Sequence, residues 1–331
     1  MQFTRFGGTG ISVSRICMGT ATFGQQTDEP AAHAILSKAA EAGVNFIETA
    51  DGYPMDNSLA RVGRAEQIVG RWLEGKRDRF IIATKGGVPV GPSSWDRGTS
   101  KKHLLDAIDG SLKRLSTDYV DLYQLHFDDS SVPLDETLEA LDLIVRAGKA
   151  RYVGVSNFLA YRLARALGRS DQRRLVRFVS VQPRYCLLFR EIERELIPLA
   201  SEENLAVMPY SALAGGMLAG RYRYESQPTG GRFSPESGWL GEVYRRGYWH
   251  SREFATIASI EQIAKQRGLA IARLAIGWVL ANSAVTSVVL GASRATQLID
   301  TLAAVNLDVD AELKKQLDDL TDEYRRGDAT I

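Results

Sequence analysis

Four side chains capable of proton chemistry stand at the ends of successive apolar runs. They are Glu48 and Tyr53 in NFIETADGY, Lys85 in FIIATKGG and His126 in YVDLYQLHF. A free tyrosine has a pKa near 10 and ionises little at neutral pH. A neighbouring ammonium lowers that value, more strongly where water is excluded. Such a tyrosine can protonate a developing alkoxide and recover its proton afterwards. A carboxylate paired with the lysine keeps it charged and oriented, and a neutral histidine can donate to the same oxygen. Taken singly, Lys85 with Glu48 reads better as a structural ion pair and His126 as a satisfied core histidine. The three types on consecutive strand ends reverse that preference.

A second set follows later in the chain. Ser156 and Asn157 close the run GVS, and Gln182 closes another. Their amide and hydroxyl groups suit a planar carboxamide, which presents both a donor and an acceptor. Tyr210, after VMP, is either a core aromatic or a flat surface for a ring. Gly291-Ala292-Ser293-Arg294 precedes an expected helix, so its backbone N–H groups suit a phosphate and Arg294 adds a bidentate grip. The plainer reading there is a helix cap by Ser293.

The elements that position these residues alternate. Short β-branched runs centre on 16–18, 45–50, 80–84, 120–125, 152–155, 178–181, 206–209 and 288–290. Between them helical periodicity covers 30–42, 64–73, 101–115, 134–147, 160–167, 192–203, 254–267 and 294–305. Eight such units predict a (β/α)8 TIM barrel, with the chemistry at the C-terminal strand ends. Extra helices are expected over 271–280 and 311–324, and a hairpin of Phe3–Phe6 with Ser12–Ile16 is expected to plug the barrel bottom. No linker divides residues 1–331, so one domain is expected. Residues 220–252, rich in Gly, Ser, Tyr and Arg, read as a long irregular loop or lid after the seventh strand.

Bulk properties narrow the classes. A net charge of +1 gives no field that would recruit nucleic acid or a membrane surface. No apolar run approaches the roughly 20 residues of a membrane helix, and the N-terminus lacks a signal-peptide core, so a cytoplasmic protein is expected. Cys17 and Cys186 suggest neither a disulfide framework nor a metal site. No GxGxxG follows a strand. The phosphate-loop-like Gly70–Lys76 begins inside a helix and is followed by Arg77 rather than Ser or Thr.

With these residues in view, the sequence resembles the aldo-keto reductases along nearly its whole length. GGTGISVSRICMGTATFG, ETADGY, ATKGG, DLYQLHF, GVSNF, VQPRY, PYSALAGGMLAGRY and VVLGASRATQL follow in the family's order. The resemblance implies an NADPH-dependent reductase acting on a small-molecule carbonyl. Tyr53 would be its proton donor, Lys85 the pKa partner and His126 the group orienting the carbonyl. Glu48 falls where the family has its catalytic aspartate. Ser156, Asn157 and Gln182 match the carboxamide-binding positions, and Tyr210 matches the residue stacked on the nicotinamide. Ser211, Leu213 and Gly215 match the pyrophosphate segment, while Gly291, Ser293, Arg294 and Gln297 match the 2′-phosphate end.

Two departures stand out. The extra methylene of Glu48 displaces the carboxylate by about 1.5 Å on an unchanged backbone, and nearby Asp51 could share the lysine. Thr301 stands where many relatives have an adenine-contacting asparagine. Residues 51–73 look most like enzymes that reduce nucleotide-linked deoxysugars, at a ketone or a 2,3-enone. An Arg/Tyr-rich 221–252 loop suits such a diphosphate-bearing substrate, and Trp95, Phe127, Tyr185, Trp239 and Trp249 suggest an aromatic mouth. Two other classes compete. One is a nicotinamide-binding regulatory subunit, as the family's potassium-channel β subunits resemble. The other is a barrel lyase or isomerase using only the phosphate site.

Overall fold

The computed structural model describes residues 1–56 and 58–326. Strands β1 (Phe3–Arg5) and β2 (Ser12–Ser14) form an antiparallel hairpin. Eight parallel strands follow: β3 (Ile16–Gly19), β4 (Phe46–Glu48), β5 (Ile81–Gly86), β6 (Val120–Leu125), β7 (Ala150–Ser156), β8 (Phe178–Gln182), β9 (Ala206–Val207) and β10 (Val288–Gly291). Their spatial order, β10-β3-β4-β5-β6-β7-β8-β9, leaves one seam. That seam is closed by Thr286 N–H to Val207 O and Val289 N–H to Pro209 O, each 2.8 Å. The chain is a (β/α)8 barrel.

The period-two alternation of the strands sorts the residues into two layers. Phe6, Val13, Cys17, Phe46, Ala83, Leu122, Ala206 and Met208 face one another and fill the barrel floor. Phe6 meets Phe46 edge-to-face at 5.6 Å, so the hairpin does plug the bottom. Two residues further along the same strands come Glu48, Lys85 and Gln124, one layer nearer the mouth. The alternate residues, such as Ile47, Ile82 and Tyr123, face the surrounding helices in a second, larger core. Each fully buried aliphatic side chain there stabilises the fold by about 1.5–3 kcal/mol.

Local signals set the helix starts. Asp28 caps the helix Glu29–Glu41 by accepting from Ala31 N–H, and Ser100 caps Lys101–Leu115. The helices expected at 64–73, 101–115 and 271–280 have those bounds. Three other expectations are corrected. The helix expected over 192–203 is a 3₁₀ turn at Glu191–Glu193 followed by Leu196–Glu202. The stretch 294–305 is broken into a 3₁₀ turn at Ala295–Gln297, the helix Leu298–Ala303 and a final 3₁₀ turn at Ala304–Asn306. Residues 220–252 are not irregular throughout, because they carry a 3₁₀ turn at Pro235–Ser237 and the helix Gly238–Tyr248. Among the described residues, no helix is long and apolar enough to cross a membrane.

Candidate active site

Strand register brings the ionisable residues together. Glu48 ends β4, Lys85 is next to last in β5, and His126 directly follows β6, tied by its N–H to Gly86 O at 2.9 Å. All three side chains are buried, with Lys85 at 0% exposure. Tyr53 hangs over them from a turn in which its N–H donates to Ala50 O. Lys85 Nζ donates to the Tyr53 phenol oxygen at 2.9 Å and contacts the Glu48 carboxylate. The phenol in turn donates to Glu48 Oε1 at 3.3 Å. The rings of His126 and Tyr53 meet edge-on at 5.6 Å, and Phe127 stacks on the far face of the imidazole.

Burial sets the protonation states. It pushes the Tyr53 phenol up from 10.0, an effect that the Arg232 guanidinium opposes. This corrects the expectation of a lowered tyrosine, because desolvation outweighs the charges nearby. Burial also pulls Lys85 well below 10.5, with the Cys17 thiol acting in the opposite direction. His126 falls well below 6.5 through burial and then the Lys85 charge, so its ring is neutral at neutral pH. The result is a protonated phenol beside a neutral imidazole, both buried.

Asp51 does not share the lysine. Its backbone N–H donates to Lys85 O at 3.0 Å, but its carboxyl faces the barrel–helix layer, near Tyr123 and Gly86. Among the described residues, Glu48 is the carboxylate that pairs with Lys85.

The opposite flank holds the amides. Ser156 Oγ donates to Gln182 O at 2.9 Å, and Asn157 N–H donates to the same oxygen at 3.2 Å. The Asn157 side chain donates to His126 O at 3.0 Å and to Ser156 Oγ at 3.1 Å, and accepts from the Tyr210 hydroxyl at 2.8 Å. Asn157 takes a positive φ of 57°, a conformation its short side chain tolerates. The Tyr210 phenol is pushed up to about 12 by burial. Gln182 Nε2 is buried without a partner, an amide donor that a bound carboxamide would satisfy. The residue types therefore fit a nicotinamide.

Two turns complete the mouth. Ser211 (φ 60°), Ala214 (φ 47°), Gly215 (φ 68°) and Gly216 (φ 106°) coil the chain beyond β9, with Leu213 between them. Past Gly291, the N–H groups of Ser293 and Arg294 converge on Gln297 Oε1 at 2.9 and 3.3 Å. The cap is therefore made by Gln297, and Ser293 contributes its own N–H and hydroxyl to that oxygen. Thr301 bonds back to Gln297 O at 3.0 Å.

Sequence patterns missed two residues from the 220–252 segment. The Tyr244 hydroxyl lies 3.0 Å from Ser211 Oγ, and Arg232 sits 5.7 Å from the Tyr244 ring with its charge acting on Tyr53. Only the four-residue apolar spacing of Leu240, Tyr244 and Tyr248 hinted at a helix there. Beside His126 opens a cleft of about 560 Å³ lined by Gly87, Trp95, Arg97, Phe127 and Asp128.

A model of the aldo/keto reductase family matches residues 15–322. The chain belongs to that family. It is 35% identical over 328 residues to an uncharacterized oxidoreductase, YrpG, of Bacillus subtilis (strain 168), covering 97% of this chain and 96% of the relative. A probable voltage-gated potassium channel subunit beta of Arabidopsis thaliana is 33% identical, over 93% of this chain and 92% of its own. The L-glyceraldehyde 3-phosphate reductase of Escherichia coli (strain K12) is 30% identical, over 92% of this chain and 88% of its own. As an aldo/keto reductase, the chain is an oxidoreductase of carbonyl compounds that works with a nicotinamide cofactor.

Proposed function

We propose that this aldo/keto reductase reduces a ketone, aldehyde or conjugated enone with NADPH, and that Tyr53 supplies the proton. The observation that carries the reading is the 2.9 Å contact between Lys85 Nζ and the Tyr53 hydroxyl, across the mouth from Asn157 and Gln182. A reduced nicotinamide, when bound, supplies the hydride. Tyr53 holds its proton until the substrate oxygen becomes an alkoxide, a base strong enough to take it even from a raised phenol. Lys85 then stabilises the phenolate at close range, and Glu48 keeps Lys85 in place. The neutral His126 donates one ring N–H to the same oxygen and so orients it.

Ser156, Asn157 and Gln182 would hold the carboxamide and Tyr210 the ring face. Ser211, Leu213 and Gly215 would hold the pyrophosphate. The preference for NADPH over NADH rests on the Ser293 and Arg294 N–H groups, now turned to Gln297 Oε1, and on the exposed Arg294.

A nucleotide-linked deoxysugar is the finer substrate reading. Trp95 and Phe127 in the cleft beside His126 offer flat faces to a sugar ring, and Arg97 and the lid arginines offer charge to a diphosphate. Quenching of protein fluorescence on titration with NADPH and NADH, followed by turnover of nucleotide-linked ketosugars, L-glyceraldehyde 3-phosphate and neutral aldehydes, tests the scheme. Turnover abolished by Tyr53→Phe is the expected result; full activity in that variant would overturn it. Tight NADPH binding without turnover of any carbonyl would move the chain toward the regulatory reading.

A further inference from the structure

Behind Lys85, on the side of β5 that faces the helices, lies a buried ion pair that the scheme above does not use. Glu66 stands in the first turn of the helix Arg64–Leu73 and is fully buried. A carboxylate taken out of water needs partners for its oxygens, and here each oxygen has one. Oε1 accepts from Thr84 Oγ1 at 2.5 Å, and Oε2 accepts from Arg114 Nε at 2.6 Å. The guanidinium arrives from the end of the helix Lys101–Leu115 through a space that two glycines keep open. A Cβ on Gly63 would lie 2.3 Å from Arg114 Cδ, and one on Gly110 would lie 3.0 Å from Arg114 Nη1. Thr84 directly precedes Lys85 in β5, and strand alternation sends their side chains to opposite faces. The residue before Glu66 meets the other member of the proton-transfer pair, because Ala65 N–H donates to Tyr53 O at 3.3 Å.

We propose that Glu66 is a positioning residue for the reduction, an inference that rests on the reductase reading above. One helical turn grips the backbone of Tyr53 through Ala65 and the strand of Lys85 through Glu66. The chain that carries Tyr53 is thus pinned to two consecutive residues of β5. Before Tyr53 the pin is Asp51 N–H to Lys85 O at 3.0 Å, and after it the pin is Glu66 to Thr84. The first is a backbone bond, whereas the second depends on the Glu66 side chain alone. A hydroxyl donating to a carboxylate makes a short, strong bond, so the second pin is stiff. Arg114 holds the other oxygen and stops the carboxylate from turning away. The 2.9 Å contact between Lys85 Nζ and the Tyr53 hydroxyl is therefore set from behind the strand. Loss of the second pin lets the helix start shift against β5, and Tyr53 shifts with it. A displacement of about 1 Å in a reacting group costs roughly a hundredfold in rate, and half of that roughly tenfold.

The test compares Thr84→Val, Thr84→Ser, Glu66→Gln and Glu66→Ala with the wild type, all as the full chain. Thr84→Val keeps shape and burial but deletes the donor, so kcat falls by about tenfold while KM and the NADPH dissociation constant hold. Thr84→Ser keeps the hydroxyl and stays within about threefold of wild-type kcat. Glu66→Gln still bonds Thr84 but weakens the hold on Arg114, so its unfolding midpoint drops while kcat stays within about threefold. Glu66→Ala loses both bonds and lowers kcat by about 10- to 100-fold; should it not fold, the two Thr84 variants carry the test. A merely structural Glu66 predicts wild-type kcat in every folded variant, whatever its midpoint. Carbon-13 NMR of protein labelled at tyrosine Cζ adds a readout independent of turnover. The Tyr53 signal, identified by its loss in Tyr53→Phe, moves in Thr84→Val and returns in Thr84→Ser. Wild-type kcat in Thr84→Val, or a Tyr53 signal that this variant leaves unmoved, would overturn the proposal. A wild type that reduces no carbonyl, with a Tyr53 signal that still moves in Thr84→Val, counts against the reductase reading and leaves the Glu66 pin standing.

Discussion

At the β4–β6 side of the candidate site Glu48, Lys85 and His126 are ionisable and buried, whereas at or beyond the ends of β7 and β9 Ser156, Asn157 and Tyr210 are neutral and bonded to one another. Glu48, Lys85, His126 and the Tyr53 phenol lie buried together, and burial lowers the pKa of the lysine and histidine and raises that of the tyrosine. Asn157, Ser156, Gln182 and Tyr210 instead carry fixed donors and acceptors, aimed by a positive-φ backbone at Asn157. Proton transfer needs groups whose ionisation the protein can push. Recognition of a planar amide needs directions, and ionisation is irrelevant to it. Damage to the first flank should therefore appear in rate and damage to the second in affinity.

The sharpest break would come at Tyr53. Tyr53→Phe should lower kcat by about 10²- to 10⁴-fold, with fluorescence titration giving an unchanged cofactor affinity. A parallel loss of binding would erase the division between the flanks. Glu48→Ala leaves Lys85 buried without its carboxylate, and denaturant unfolding should report a loss of about 3–5 kcal/mol. Glu48→Asp keeps the pair and should unfold near the wild-type midpoint.

On the amide flank the expected effects are smaller. Gln182→Ala should weaken cofactor binding by about 1–3 kcal/mol while kcat at saturation holds. Tyr210→Phe deletes only the bond to Asn157 and should cost about 1 kcal/mol in cofactor binding. Any loss confined to kcat in either variant would move these residues to the other flank.

The mildest test uses pH. Asp51 is raised in the folded chain, so the stability its carboxyl contributes is complete below 3.8 and is lost as pH rises through the folded value. Melting temperatures of Asp51→Asn should accordingly decline less than those of the wild type from acid to alkaline pH.

Much of this was legible in the residues. Parity along the strands placed Glu48 and Lys85 on one face because a period of two leaves little freedom within a strand, and His126 follows the end of β6 by a single residue. The helices at 64–73, 101–115 and 271–280 were legible from their apolar spacing. Beyond a strand end parity no longer applies. That is why the sequence left open whether Asp51, three residues past Glu48, shares the lysine, whereas its carboxyl faces away from it. Charge balance misled at Tyr53, since no sequence pattern measures how completely water is excluded. The helix Gly238–Tyr248 was hidden by glycines and by aromatic residues, of which Tyr244 reaches inward to Ser211 while Trp239 stays exposed.

The hairpin beneath the barrel has a consequence for traffic. Phe6 and its neighbours stop the lower end, so the barrel opens toward the strand ends, where the candidate site lies. On the proposed reading, cofactor and substrate would share that one opening.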